Sequence, residues 1–345
     1  MNESLDQEQT RQQFEDRISG ILVGAACGDA LGAGYEFGPS LDPSTPIFMC
    51  GQAAFAPGEW TDDTAQMMAI ALAAEKHDIN MPAGQNEIAQ NFVDWYNSPA
   101  REKDIGIHTA HVLGQLAGGD QSDLAGKSTQ IALDKERADP NSSGGNGALM
   151  RTAAVVLAKL DNEAELVETA TKTAELTHAD ERSTQASVLW CLAIKCAIEI
   201  HNFTGEKHLQ QLQENLEQAI DRTMPKHSTY WKQQLKEATG KDPRTFSSNN
   251  GYSVQTLKCA WAAITHTPIS TQSPSDHFRE ALEEAVRAGN DADTVACVAG
   301  ALLGAMWGLG AMPVDWLGQI HGWPDMNFET LINLSVNAHR FNHDS

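Results

Sequence analysis

Gly20-Ile21-Leu22-Val23-Gly24-Ala25-Ala26-Cys27-Gly28-Asp29-Ala30-Leu31-Gly32 is the stretch that decides how this chain is read. Its apolar residues, with Phe14 and Ile18 before them, keep helical spacing, yet glycine returns at every fourth position. On a helix those glycines form one smooth stripe. Each costs about 1 kcal/mol against alanine, a loss that makes sense only where another element packs unusually close. A second stripe, Gly300, Gly304 and Gly308, lies in the apolar run 295–312. The expectation is therefore two glycine-striped helices crossing closely at the centre of the fold. The second run is long enough to suggest a membrane span, but it is glycine-rich, solitary and preceded by two aspartates, which points to a buried core helix instead.

Helical periodicity continues almost everywhere between the stripes. It predicts helices over 62–76, 87–96, 107–116, 148–160, 163–176, 181–200, 206–223, 251–265, 275–288 and 314–320, and Thr10-Arg11-Gln12-Gln13 reads as a capping box opening the first one. No stretch alternates with period two for long. The fold class is all-α, a single compact orthogonal helical bundle spanning 17–345. Residues 1–16 read as an acidic N-terminal extension. Residues 201–250 read as a polar peripheral insertion whose large apolar residues are mainly Leu209, Leu212, Leu216, Trp231 and Leu235.

The 345 residues are 41% hydrophobic, sufficient for a substantial core, and 24 Lys and Arg face 46 Asp and Glu. A net charge of -22 argues against nucleic acid or an anionic membrane as the main partner. The six cysteines show no metal-type spacing and read as reduced and structural. The acidic N-terminus has no signal-peptide pattern, so the expected compartment is the cytoplasm.

Chemistry concentrates at two acidic helix starts. Gly58-Glu59-Trp60-Thr61-Asp62-Asp63-Thr64 precedes one apolar helix, and Gly289-Asn290-Asp291-Ala292-Asp293-Thr294 precedes the second glycine-striped one. Carboxylates at a helix N-terminus are ordinary capping groups, and one such stretch alone says no more than that. Two of them facing each other would repel, and the constellation then calls for a cation; an all-oxygen set suits Mg²⁺ or Mn²⁺. Asp29 would be expensive on a glycine-striped buried helix unless partnered, and Glu36 offers one more oxygen at the helix exit. The loop Asn141-Ser142-Ser143-Gly144-Gly145-Asn146-Gly147 precedes the helix expected from Ala148, so its N–H groups suit an anion. His178, in Thr177-His178-Ala179-Asp180, sits at a helix junction within reach of a polar ligand.

Taken in order, Gly28-Asp29-Ala30-Leu31-Gly32 with Glu36, Thr61-Asp62-Asp63-Thr64, Gly145-Asn146-Gly147-Ala148-Leu149-Met150-Arg151, Thr177-His178, Gly251-Tyr252 with Thr256-Leu257, and Asp291-Ala292-Asp293-Thr294 resemble the ADP-ribosylglycohydrolase family. That family includes the hydrolases that remove ADP-ribose from an arginine of dinitrogenase reductase. The resemblance implies an all-α fold around a dinuclear centre of Mg²⁺ or Mn²⁺, acting on ADP-ribosylated proteins, with the arginine linkage expected, and releasing ADP-ribose. Carried over by position, it makes Thr61, Asp62, Asp63, Asp291, Asp293 and Thr294 the metal ligands, with Glu36 beside them as ligand or gate. Gly144, Gly145, Asn146, Gly147 and His178 would hold the diphosphate and distal ribose, and Tyr252 would lie against the adenine. Asp104 matches an acidic position near the scissile ribose, although Ile107-His108 departs from the small polar residue usual after it. Proton transfer falls to Asp62, Asp63 or Asp104. An alternative is an immunity protein that blocks an ADP-ribosyltransferase toxin by inserting residues 1–16, with Glu3, Asp6, Glu8, Glu15 and Asp16, into a basic cleft.

Overall fold

The computed structural model describes residues 2–343 apart from 53, 120, 121, 201–204 and 270–272, and leaves the side chains of 2–7, 9, 10, 141 and 206 undescribed. The regular structure of the described residues is helical apart from one short ribbon. In chain order they form α1 (Asn2–Gly32), α2 (Asp62–Ala74), α3 (Pro82–Tyr96), α4 (Ile107–Ala117), α5 (Leu124–Ala138), α6 (Ala154–Lys159), α7 (Glu163–Glu175) and α8 (Glu181–Glu199). There follow α9 (Glu206–Thr223), α10 (Ser228–Ala238), α11 (Ser253–His266), α12 (Pro274–Arg287), α13 (Ala292–Trp307), α14 (Val314–Leu317) and α15 (Phe328–His343). A two-stranded antiparallel ribbon, β1 (His321–Gly322) with β2 (Met326–Asn327), precedes α15.

The glycine stripes meet. A Cβ placed on Gly20 would lie 2.4 Å from Gly304 O, one on Gly24 2.4 Å from Gly300 O, and one on Gly28 2.0 Å from Ala296 O. Real Cβ atoms do not approach so closely, so α1 and α13 touch backbone to backbone. Each step of four up α1 matches a step of four down α13. The two helices therefore run antiparallel in contact along the whole stripe rather than crossing at one point. At the end of the stripe a Cβ on Gly32 would be 2.3 Å from Asp293 Cα, so the contact delivers α13's acidic start to the exit of α1. The other helices wrap this pair and bury Trp95, Trp190 and Trp261 among their apolar faces. Among the described residues no helix is long and apolar enough to cross a membrane.

Several expected boundaries moved for identifiable reasons. No capping box opens α1 at Thr10, because the helix already runs from Asn2 through residues with no breaker among them. α13 stops at Trp307 because Gly308 takes a left-handed backbone, φ 76°. The helix expected from Ala148 begins only at Ala154, after a run of turns that includes Met150 N–H to Asn146 O at 3.1 Å. α5, α10 and α15 escaped the pattern. α5 buries only Leu124, Ser128 and Ala132, too few large apolar side chains for a visible stripe. Within 201–250, Leu212, Leu216, Trp231 and Leu235 are buried against the bundle, and Trp231 Nε1–H donates to Gln185 Oε1 of α8 at 2.9 Å. At the N-terminus, Glu15 pairs with Arg340 at 3.1 Å and Asp16 accepts from Gly310 N–H at 3.2 Å, so this turn of α1 is tied to the body. The side chains of Glu3 and Asp6 lie outside the described residues.

Candidate active site

α2 starts where it does because one carboxyl group and a threonine satisfy its free N–H groups. Thr61 is the N-cap, its Oγ1 accepting from Asp63 N–H at 3.4 Å. Asp29 reaches across from α1, taking Thr61 N–H and Thr64 N–H at 2.9 Å each and Thr64 Oγ1–H at 2.6 Å. This answers how a fully buried Asp29 is tolerated. Its three donors oppose the rise that burial imposes, leaving its carboxyl at about 6.

With α2 so anchored, Asp62 and Asp63 face the start of α13. Asp63 Oδ1 accepts from Thr294 Oγ1–H at 3.3 Å, and Asp62 Oδ2 accepts from Gln66 Nε2–H at 2.8 Å. Glu36, Asp291 and Asp293 bring carboxylate oxygens within 4.8 Å of one another. Glu36 is placed by the bridge next to it: Phe37 N–H donates to Asn290 O at 2.6 Å and Asn290 N–H returns to Gly38 O at 2.7 Å. Both Phe37 and Asn290 have left-handed backbones, φ 58° and 55°. Asp291 is fixed by Asn146 Nδ2–H at 2.7 Å and by its own N–H to Asn250 Oδ1 at 3.1 Å.

So many carboxyl groups in one place repel. Burial first, and then the charge of Asp104, Asp291 and Asp29, pushes Glu36 up to about 8. Asp62, Asp63 and Asp293 are driven well above the usual carboxylate range by burial and by one another. Asp104 adds to the rise of Asp62, and burial raises Asp104 in turn. Two buried oxygens, Asp63 Oδ2 and Asp293 Oδ1, have no hydrogen-bond partner. An orphaned carboxylate oxygen on each of two facing helix starts is what a cation between them would satisfy, and the all-oxygen donor set suits a hard one. A second grouping, Asp29, Asp63 and Cys297, fits a metal less well, because Asp29 is committed to α2 and burial among carboxylates holds the Cys297 thiol protonated.

These groups open into a cavity of about 380 Å³. Its acidic side is Glu36, Asp62, Asp63, Asp104, Asp291, Asp293 and Thr294; its other side is Gly145, Asn146, Gly147 and His178, with His108 and Thr109. His178 stacks on His108 with ring centroids 4.4 Å apart. Burial, then the neighbouring His108 and Arg151, hold His178 well below its ordinary value, so the ring is neutral. Part of the cavity's lining is acidic and part offers uncharged donors.

A profile of the ADP-ribosylglycohydrolase family matches residues 10–341. The chain belongs to this family. It is 30% identical to "ADP-ribosylarginine hydrolase Tri1" of Pseudomonas putida (strain GB-1), over 90% of this chain and 76% of that protein. It is 26% identical to "ADP-ribosyl-[dinitrogen reductase] glycohydrolase" of Rhodospirillum rubrum, over 95% and 97%. A solved structure titled "ADP-ribosylglycohydrolase-related protein complex" superposes with a TM-score of 0.67 at 26% identity, covering 96% of this chain and 99% of that one. The protein is a glycohydrolase of the ADP-ribosyl type, and its fold is the family's.

Within this glycohydrolase not every expected residue reaches the cavity. Thr61, Gly144 and Tyr252 are absent from its lining. Thr61 is buried behind Asp63 as the cap. The Tyr252 ring lies over Gly144, where a Cβ would sit 2.1 Å from Cε2, so the two fill each other's space. The Gly144–Gly147 loop also does not open directly into a helix; turns follow it, and its donors act without a helix dipole behind them. Arg151 and Gln66, which join the two halves beneath the cavity floor, were missed. A buried arginine announces itself only through partners that are distant in sequence.

Proposed function

We propose that this glycohydrolase is metal-dependent and cleaves the N-glycosidic bond between ADP-ribose and an arginine side chain of a modified protein. The observation that carries the reading is that Asp63 Oδ2 and Asp293 Oδ1, one on each acidic helix start, are buried without a hydrogen-bond partner in residues that line a cavity also lined by neutral donors. The arginine linkage is supported by likeness to the hydrolases named above. Asp62, Asp63, Asp291, Asp293 and Thr294, with Glu36 beside them and the capping Thr61 oxygen behind Asp63, would hold two Mg²⁺ or Mn²⁺ ions. Such ions supply Lewis acidity and lower the pKa of a bound water.

The chain's own residues divide the remaining work. Gly145, Asn146, Gly147 and His178 hold the diphosphate and distal ribose, orienting the scissile ribose toward the carboxylates. Asp62 and Asp63 stabilise positive charge as the C–N bond breaks. Asp104, at the cavity wall, gives a proton to the departing guanidine nitrogen, while a water oxygen joins the anomeric carbon and the proton that water sheds returns to Asp104; the products are ADP-ribose and unmodified arginine.

The test is release of free ADP-ribose from an arginine-ADP-ribosylated protein with Mg²⁺, with Mn²⁺ and with chelator, beside a serine-linked substrate. Metal-dependent release from the arginine substrate, lost in Asp62→Ala, is expected. Release only from the serine-linked substrate overturns the linkage, and release undiminished by chelator and by Asp62→Ala overturns the site.

A further inference from the structure

Arg151 is fully buried beneath the cavity floor, its guanidinium carbon 4.4 Å from the centre of the Phe92 ring. Nη1–H donates to Gln66 Oε1 and Nη2–H donates to Thr177 Oγ1, both at 2.6 Å. A guanidinium has five donors and no acceptor, so the direction of each bond is forced. Because Gln66 Oε1 is occupied by Arg151, its amide nitrogen faces the other way and donates to Asp62 Oδ2 at 2.8 Å. Thr177 Oγ1 already accepts from Arg151, and His178 Nδ1, at 2.7 Å, is the acceptor within reach of its hydroxyl proton; were Nδ1 to donate instead, that buried proton would be left without a partner, so the hydroxyl donates to Nδ1. A His178 that accepts at Nδ1 carries its proton at Nε2.

We propose that Arg151 and Thr177 are positioning residues that fix His178 as the Nε2–H tautomer, an uncharged donor for an oxygen of the ADP-ribosyl group, while the same guanidinium, through Gln66, keeps Asp62 an acceptor at the metal end. The Nε2 edge is the one turned to the ligand loop: a Cβ on Gly147 would lie 3.1 Å from it and one on Gly145 3.8 Å. His108 holds the stacked ring from behind, its own Nε2–H donating to Thr177 O at 2.7 Å. One buried cation thus sets the hydrogen-bond polarity of both halves of the site. This is the arrangement by which groups behind a site orient the groups that touch the ligand. The part concerning ADP-ribose rests on the function proposed above; the tautomer does not.

The tautomer is read directly from long-range ¹H–¹⁵N spectra of ¹⁵N-histidine-labelled full-length protein, with His178→Gln assigning the signal. Wild-type His178 is expected as neutral Nε2–H at pH 7; a neutral Nδ1–H form overturns the proposal at once. Thr177→Val removes the hydroxyl, so the single-tautomer signature should be lost, and the Kd for ADP-ribose and the KM should rise about tenfold, the worth of one good hydrogen bond. kcat should change by less than about twofold. Thr177→Ser restores the hydroxyl and should restore both readouts. A merely structural Thr177 would lower stability and leave the tautomer and ADP-ribose affinity unmoved, and that result overturns the proposal, as does a Thr177→Ser protein that behaves like Thr177→Val. If wild type shows the expected tautomer but does not bind ADP-ribose, the pocket's ligand is wrong and the relay stands.

Discussion

Replacing Gly304 by alanine should destabilise this protein although alanine is the better helix former. In an exposed helix the change would gain about 1 kcal/mol. Here the new Cβ would lie 1.9 Å from Gly20 O and 2.6 Å from Gly20 C, both backbone atoms. Reaching ordinary van der Waals separation means parting α1 from α13 by roughly 1.5 Å, and neither backbone can give locally. Overpacking of this kind costs about 3 kcal/mol at the upper end of its usual range, so the net loss is about 2 kcal/mol. With an unfolding entropy of about 0.7 kcal/mol/K for a chain of this length, Tm should fall by about 3 °C. Gly114→Ala in α4 is the control, because only the movable Tyr96 hydroxyl approaches there, at 2.9 Å, and its Tm should hold or rise. Gly32→Ala adds a functional readout: its Cβ would meet Asp293 Cα at 2.3 Å, so turnover should fall further than stability alone explains. Differential scanning calorimetry of the three variants decides the matter. A Gly304→Ala protein melting at or above wild type would refute the reasoning.

Three further outcomes follow from the site and its surroundings. Asp293→Asn removes one of the mutually repelling carboxylates, so the chelated variant should melt above chelated wild type while losing the Tm rise that Mg²⁺ or Mn²⁺ gives wild type; a retained metal-dependent shift would count against Asp293 as a ligand. Asp29→Asn leaves one acceptor oxygen for three donors at the start of α2 and should cost about 2–3 kcal/mol by urea titration, with an unchanged midpoint showing that Asp29 does not anchor that helix. His277 is held at about 4 by burial, accepting Trp307 Nε1–H at Nδ1 and donating from Nε2 to Ile264 O. Its folded value lies below the unfolded one, so the unfolded chain binds the extra proton, and the contribution present above about pH 6.5 drains away as pH falls toward 4. His277→Gln should flatten the pH dependence of the urea midpoint between pH 7 and 5, and an identical slope in both proteins would assign the acid sensitivity elsewhere.

Much of this was legible in the sequence because it was written in local spacing. The stripes of α1 and α13 show as glycine every fourth residue, and the acidic starts at Asp62 and Asp291 show as carboxylates ahead of apolar runs. What stayed hidden depends on groups far apart in the chain. Arg151 closes a stretch that carries the family resemblance, but its role appears only when α2 brings Gln66 to one side of it and the turn before α8 brings Thr177 to the other. Tyr252 matched a family position, but at Gly144 the chain has no side chain, and the ring settles into that space instead of lining the cavity.

The glycine stripe also explains why the acidic starts meet at all. Nothing in Thr61-Asp62-Asp63-Thr64 or Asp291-Ala292-Asp293-Thr294 says that the two converge, and their carboxylates alone would drive them apart. Backbone contact along α1 and α13 ends with Gly32 against Asp293 Cα. One turn earlier on α1, Asp29 grips Thr61 and Thr64. A single helix therefore holds one acidic start by its smooth face and the other by a buried carboxylate. Packing of that pair overrides the repulsion, and the cost shows as the raised carboxyl groups and the two oxygens left without partners.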